Sequence, residues 1–174
     1  RRPDQSVLPP RQTEGWYWLH ELMAAEAAGF VDMFQVKQWC CYEPCSCNPP
    51  LAAIADLYQS RIAVGKASAS GKAKKLIYNS AYGKFAQSVG EPLFGNPVYA
   101  SLITAGCRTR ILEAIASHPT GASSLLMVAT DGVVFGEPHD ALPFDHARLG
   151  AWTAGEHQNL TLFMPGVYWD DATR

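Results

Sequence analysis

The sequence predicts an α+β fold in which an antiparallel pair of helices sits between stretches that build short antiparallel strands. Three observations carry this. Apolar stripes of helical period run from Leu51 to about Ala67 and from Lys72 to Val89, joined by the small-residue turn Ser68 to Gly71. A third helical run, Val98 to His118, is closed by Pro119 and Gly121. Beyond it, Asp131-Gly132 separates two apolar runs, a strong local signal for a β-hairpin.

The elements follow in order. The first dozen residues are polar, contain three prolines and read as an arm. Trp16 to Ala28 has helical periodicity through Leu19, Leu22, Met23 and Ala27, and Gly29 stops it. Phe30 to Tyr42 alternates as a strand would, with Val31, Met33 and Gln35 on one side and Phe34 and Val36 on the other. Glu43 to Pro50 is a proline- and cysteine-rich loop, and Asn48-Pro49-Pro50 leads into the next helix. Leu51, Ile54, Ala55, Tyr58 and Ile62 form the stripe of that helix. Leu76, Ile77, Ser80 and Tyr82 carry its partner, which makes an αα-hairpin. Gly90 to Pro97 is a loop before the long helix. Leu125 to Ala129 and Val133 to Phe135 form the β-hairpin, and Leu160 to Met164 and Val167 to Trp169 are further strands.

The chain has 174 residues, enough for one sizeable domain or two small lobes sharing a core. Its 48% apolar content argues against disorder, and no run of about eighteen apolar residues is present to span a bilayer. The opening Arg-Arg-Pro-Asp-Gln has no hydrophobic signal core, so the expected compartment is the cytoplasm. A net charge of −2 counts mildly against a free-standing nucleic-acid binder but permits a local cationic cleft. Of five cysteines, Cys40, Cys41, Cys45 and Cys47 are crowded within 40–47. Structural zinc, a disulfide and a reduced loop are the competing readings. With no CxxC pair and no second knuckle, the spacing favours the reduced loop without stoichiometric zinc. Cys107 lies in a helical pattern and reads as a small core residue.

Two segments carry chemistry. Lys75 and Asn79 are four apart and share a helix face, which Tyr82 and Gly83 continue by another turn. Folding the αα-hairpin about Ser68 puts Arg61 and Lys75 each seven residues from the turn, about 10 Å along their helices. A guanidinium and an ammonium at matching depth make a cradle for a polyanion, with Lys66 and Lys72 nearer the turn. Gly83 inside a helix costs about 1 kcal/mol against alanine, which a flat base or a backbone coming close would justify. The competing reading is an exposed basic face with an incidental glycine. Asp131, on the tip of the β-hairpin, is rigidly held for metal coordination; alternatively it is simply a turn residue. Two-metal phosphoryl chemistry needs at least two acidic ligands. Ala129 stands where a second would fall, and Glu137 and Asp140 lie in a loop that looks solvated. Together the cradle and the carboxylate point to nucleotidyl transfer.

Lys75-Leu-Ile-Tyr-Asn79-Ser80-Ala-Tyr82-Gly83 resembles the fingers motif of family B (alpha-like) DNA polymerases, phage or viral type. That motif runs lysine, three residues, Asn-Ser, one residue, Tyr-Gly, and every fixed position matches. Thr130-Asp131 resembles the end of the family's Asp-Thr-Asp palm motif. Upstream, Trp18-Leu-His-Glu-Leu22 to Gly29, Tyr42-Glu-Pro-Cys45 and Pro49-Pro50 leading to Tyr58 and Arg61 look like the passage from palm to fingers. Leu149-Gly-Ala-Trp152 and Gly166-Val-Tyr168 resemble the palm segment that runs toward the thumb.

The resemblance covers nearly everything from about residue 15. It implies fingers, as a helical hairpin, inserted into a partial polymerase palm with antiparallel strands. Residues 1–14 would be an arm or truncated connection, 15–50 a palm portion with the cysteine/proline loop, 51–89 the fingers hairpin, and 90–174 a palm portion leading toward an absent thumb. It also implies that Lys75 and Asn79 contact the phosphates of an incoming dNTP, aided by Arg61 and Lys66. Lys66 is spaced five residues from Arg61 where four is commoner. Tyr82 and Gly83 would meet the nascent base pair and primer-template DNA, and Asp131 would ligate Mg²⁺, two ions in the complete site.

The first aspartate of Asp-Thr-Asp is Ala129 here, and the palm motif holding the other metal-binding aspartate is not found upstream of Trp16. The expectation is therefore a central slice of a polymerase, inactive in isolation, whose partner is the remainder of the enzyme, covalent or as a separate chain. For a phage protein the compartment would be the host cytoplasm. The alternative is a catalytically inactive polymerase-like module used for binding or assembly.

Overall fold

A computed structural model describes residues 12–43, 46, 51–164 and 166–171. Four α-helices and four strands follow one another there: α1 Leu19–Ala27, α2 Ala52–Ala63, α3 Ala69–Phe85, α4 Pro97–Ser117, β1 Leu125–Ala129, β2 Gly132–Phe135, β3 Thr161–Met164 and β4 Val167–Trp169. A 3₁₀ turn, Gly121–Ser124, joins α4 to β1. Among the described residues no helix is long and apolar enough to cross a membrane.

Local chemistry sets the helix ends. The Asn96 side chain accepts the Tyr99 N–H at 3.1 Å and Pro97 opens α4 with its φ already helical. Helix α1 closes as a Schellman motif: Gly29 has φ +76°, and the Phe30 N–H reaches Ala25 O at 2.9 Å. Helix α3 starts at Ala69 rather than Lys72, because Ser68 accepts the Gly71 N–H at 2.9 Å and caps it. Helix α2 ends at Ala63, short of Ala67, where the chain turns through Gly65 at φ +85°. Gly71 is required by close approach, since a Cβ there would lie 2.2 Å from Gly65 O.

Packing centres on α4. Helix α1 lies against it, with Ala24 and Ala28 buried and Glu21 in a two-bonded ion pair with Arg108. Ala28, Ile111 and Ile115 form the buried core, and the partly buried Cys107, Leu112, Leu125, Val133, Phe135 and Trp152 pack against it, so Cys107 stands at the core's edge rather than inside it. A buried polar knot fixes the β1–β2 hairpin to the end of α4. His118 stacks on Phe135 at 4.4 Å and meets the edge of His139 at 4.9 Å. Its Nδ1 accepts the Thr120 N–H at 3.2 Å, while His139 Nε2 donates to Ala114 O at 2.8 Å.

Strands β1 and β2 pair antiparallel with Ala129 opposite Gly132, and β3 and β4 form a second antiparallel pair. The turn of the first hairpin is Thr130-Asp131, so Gly132 already belongs to β2. The strand expected over Phe30 to Tyr42 does not form. A strand needs a neighbour for its backbone groups and an apolar face to bury. This segment has neither among the described residues: it pairs with no strand, and Met33 and Trp39 are 83% and 78% exposed.

Candidate functional site

Arg61 occupies the seam between α2 and α3. Its Nε donates to Gly71 O at 3.1 Å and its Nη1 to the Tyr78 hydroxyl at 3.0 Å. Gly71 and Tyr78 bracket Lys75 along α3, so Arg61 and Lys75 do lie at matching depth. They differ in direction around the helix. Lys74 is the lysine in the seam, donating to Ser60 Oγ at 2.7 Å, and Lys75, one residue further round, is exposed. Arg61 thus has two of its donors committed inside the hairpin.

Lys75, Asn79 and Tyr82 follow one another along one exposed face of α3. Gly83 beside them has open space where a side chain would stand, with nothing within 4 Å. The face is bare and has room for a flat or extended ligand. Arg108 on α4 has its guanidinium held above its ordinary pKa chiefly by the side-chain hydrogen bond to Glu21. Lys66 is engaged elsewhere: its ammonium donates to His146 O at 2.6 Å and lies 5.9 Å from the centre of the Tyr58 ring.

Asp131 is set by an unusual turn. Thr130 has φ +51°, a left-handed conformation that a β-branched residue adopts only at a cost of about 1–2 kcal/mol. Its hydroxyl lies 2.8 Å from Ala129 O and 3.0 Å from Asp131 Oδ1, and Cys107 Sγ lies 3.9 Å from its carbonyl. These contacts hold the conformation. Asp131, exposed, stands at the rim of a cavity of about 330 Å³ lined by Asp131, Gly132, Val133, Ala151, Trp152 and Thr153. Among the described residues it is the one carboxylate in that lining. Glu137 and Asp140 are exposed, as their loop implied. Among the described residues no three His, Cys, Asp or Glu side chains gather to hold a metal ion. A site for two Mg²⁺ ions is therefore not complete within them, and Asp131 supplies one ligand at most.

Cys40 and Cys41 are exposed free thiols, while Cys45 and Cys47 lie outside the described residues. The sequence reading missed the strained Thr130, since Asp131-Gly132 drew attention to the wrong pair of turn residues. It also missed the Lys66 contact, which spans 80 positions and leaves no local signal. Ser68 as a cap was missed too, because 68–71 was read as a turn; the serine that opens that turn was the available signal.

Compared with protein-family models, curated proteins and solved structures, the chain matches nothing.

Proposed function

We propose that this chain is the fingers-and-palm segment of a DNA-directed DNA polymerase of the family B type, serving the addition of dNTPs to a primer 3′-hydroxyl. The observation that supports it most is the open face of α3. The residues the fingers motif reserves for ligands, Lys75, Asn79, Tyr82 and Gly83, are left exposed, while their neighbours Lys74 and Tyr78 hold the hairpin together.

On this reading Lys75 and Asn79 bind the triphosphate, an ammonium and an amide four residues apart matching successive phosphate oxygens. Arg61 stiffens the hairpin through Gly71 and Tyr78 and so supports the helix that carries Lys75 and Asn79. Tyr82 and Gly83 form the flat surface that receives the base pair and primer-template DNA. Asp131 is the chain's carboxylate for the reacting centre, held rigid by the Thr130 turn. Mg²⁺, when bound, would neutralise developing phosphate charge, with its second carboxylate coming from outside the described residues.

The test is Mg²⁺-dependent primer extension by the complete protein and its variants. Wild-type extension that disappears in Asp131→Asn, with primer-template binding retained, supports the reading. Extension indifferent to Asp131→Asn removes it. Ala129 and the single carboxylate among the described residues of the cavity favour a second reading, a polymerase-like binding module. That reading stands if wild type binds dNTP or primer-template but never extends.

A further inference from the structure

Segment 144–152 is a loop closed upon itself. Phe144 and Trp152 bridge, and the Asp145 N–H donates to Trp152 O at 2.9 Å. Inside the loop, Asp145 Oδ1 accepts the N–H groups of Ala147 and Arg148 at 2.8 and 3.2 Å. Those bonds hold the Asp145 carboxyl below its ordinary pKa, the Ala147 bond most. With its inner donors satisfied, the loop turns carbonyls outward to donors on separate elements. Lys66, in the turn after α2, reaches His146 O at 2.6 Å, and Gln59 of α2 reaches Ala147 O at 3.5 Å. Arg110 of α4 reaches Gly150 O at 2.8 Å. The closing residues Ala151 and Trp152, with Thr153, form one wall of the Asp131 cavity.

The helical hairpin and the Asp131 cavity are therefore joined through one short loop. We propose that Lys66 and Gln59 are positioning residues. They pin loop 144–152 to the α2–α3 hairpin and so set the Ala151–Thr153 wall against Asp131. Lys66 leads, because a charged donor at 2.6 Å outweighs an amide at 3.5 Å. The inference rests on the polymerase reading only for what the cavity receives. It removes Lys66 from the phosphate contacts and gives it a structural link between the nucleotide arm and the reacting centre.

The experiment takes Lys66→Met, Lys66→Arg and Gln59→Ala in the complete protein and reads two things. The first is amide hydrogen exchange in peptides spanning 144–153. Lys66→Met should speed exchange there by about threefold or more while leaving 75–82 unchanged, Lys66→Arg should restore it, and Gln59→Ala should give a smaller rise. Unchanged exchange in Lys66→Met overturns the proposal. The second is the split between kcat and KM. A positioning role lowers kcat with KM for dNTP within about twofold, and Lys66→Arg recovers it. A raised KM with a quiet loop makes Lys66 a direct phosphate ligand instead, which overturns this inference and favours the polymerase reading. If wild type shows neither dNTP binding nor extension, the polymerase reading falls, and the exchange measurement still decides whether the loop is pinned.

Discussion

The two hairpins of this molecule are built on opposite principles. The β1–β2 hairpin is anchored by burial: Met127 is 6% exposed, Val133 and Phe135 pack on the Ile111–Ile115 core, and His118 stacks on Phe135. The α2–α3 hairpin buries no large apolar side chain, Gly71 being the one buried residue of its two helices. It is held instead by Arg61, Lys74 and the Ser68 cap, and is joined to α4 through Phe85 against Tyr99 at 5.6 Å and the Asn96 N–H to Phe85 O bond at 3.0 Å. Burial gives a stiff platform, whereas a few directional polar bonds give an arm whose local opening costs less. On the proposed reading, the stiff platform carries the reacting carboxylate and the arm the cation that gathers the ligand.

The sharpest way to break this comparison is to exchange the phenotypes. Asp131→Asn in the complete protein should cut primer extension to below about a thousandth, a rise of about 4 kcal/mol in the barrier, with DNA binding nearly intact. Lys75→Ala should lower kcat/KM by roughly 10- to 1000-fold, mostly through KM for dNTP, as expected for about 1.5–4 kcal/mol of charge-assisted contact. Steady-state kinetics separates the two. Reversed phenotypes would mean that platform and arm carry the other's task.

Stability should show the same asymmetry. His118→Ala, which removes a stacked and hydrogen-bonded buried ring, should cost about 2–4 kcal/mol in denaturant unfolding. Thr130→Asn should act in the opposite sense and stabilise by about 1 kcal/mol, because asparagine tolerates the left-handed conformation. A destabilised Thr130→Asn would show that the hydroxyl bonds outweigh the strain.

The smallest effect concerns loop 144–152. Because the folded Asp145 carboxyl titrates below its ordinary value of 3.8, its stabilisation of the loop is present above that unfolded value. It is lost as pH falls through the lower folded value. Amide exchange at Ala147 and Arg148 should therefore show no loosening by carboxylate titration at pH 5 and should loosen only below the usual carboxylate range.

What the sequence disclosed follows how local each signal is. Helix α4 and the β1–β2 hairpin were legible because the helical period from Val98, the Pro119 stop and the flanking apolar runs act within a few residues, although the Asn96 cap and Pro97 were read as loop. Counting residues from the turn gave the depth of Arg61 and Lys75, but depth carries no direction around the helix. It therefore could not show that Lys74 faces Ser60 while Lys75 faces outward. The alternation of Phe30 to Tyr42 recorded a strand's side-chain period, yet a strand also needs a neighbour, and no pattern within thirteen residues reveals one. Contacts such as Lys66 to His146 depend on the assembled fold alone.

That unpaired stretch has a practical consequence. With Lys37 exposed, ion-paired to Glu14 at 2.7 Å and on a backbone that is in neither helix nor strand, trypsin finds an accessible site there, whereas the cationic residues of α4 are protected by helical backbone. A single nick after Lys37 would sever the covalent link between α1 and the rest. The Glu21–Arg108 pair, the Trp18 Nε1–H to Ser101 Oγ bond at 3.2 Å and the buried Ala24 and Ala28 would keep the severed piece docked on α4. Such a preparation would run as two bands on a denaturing gel and elute as one species from a sizing column.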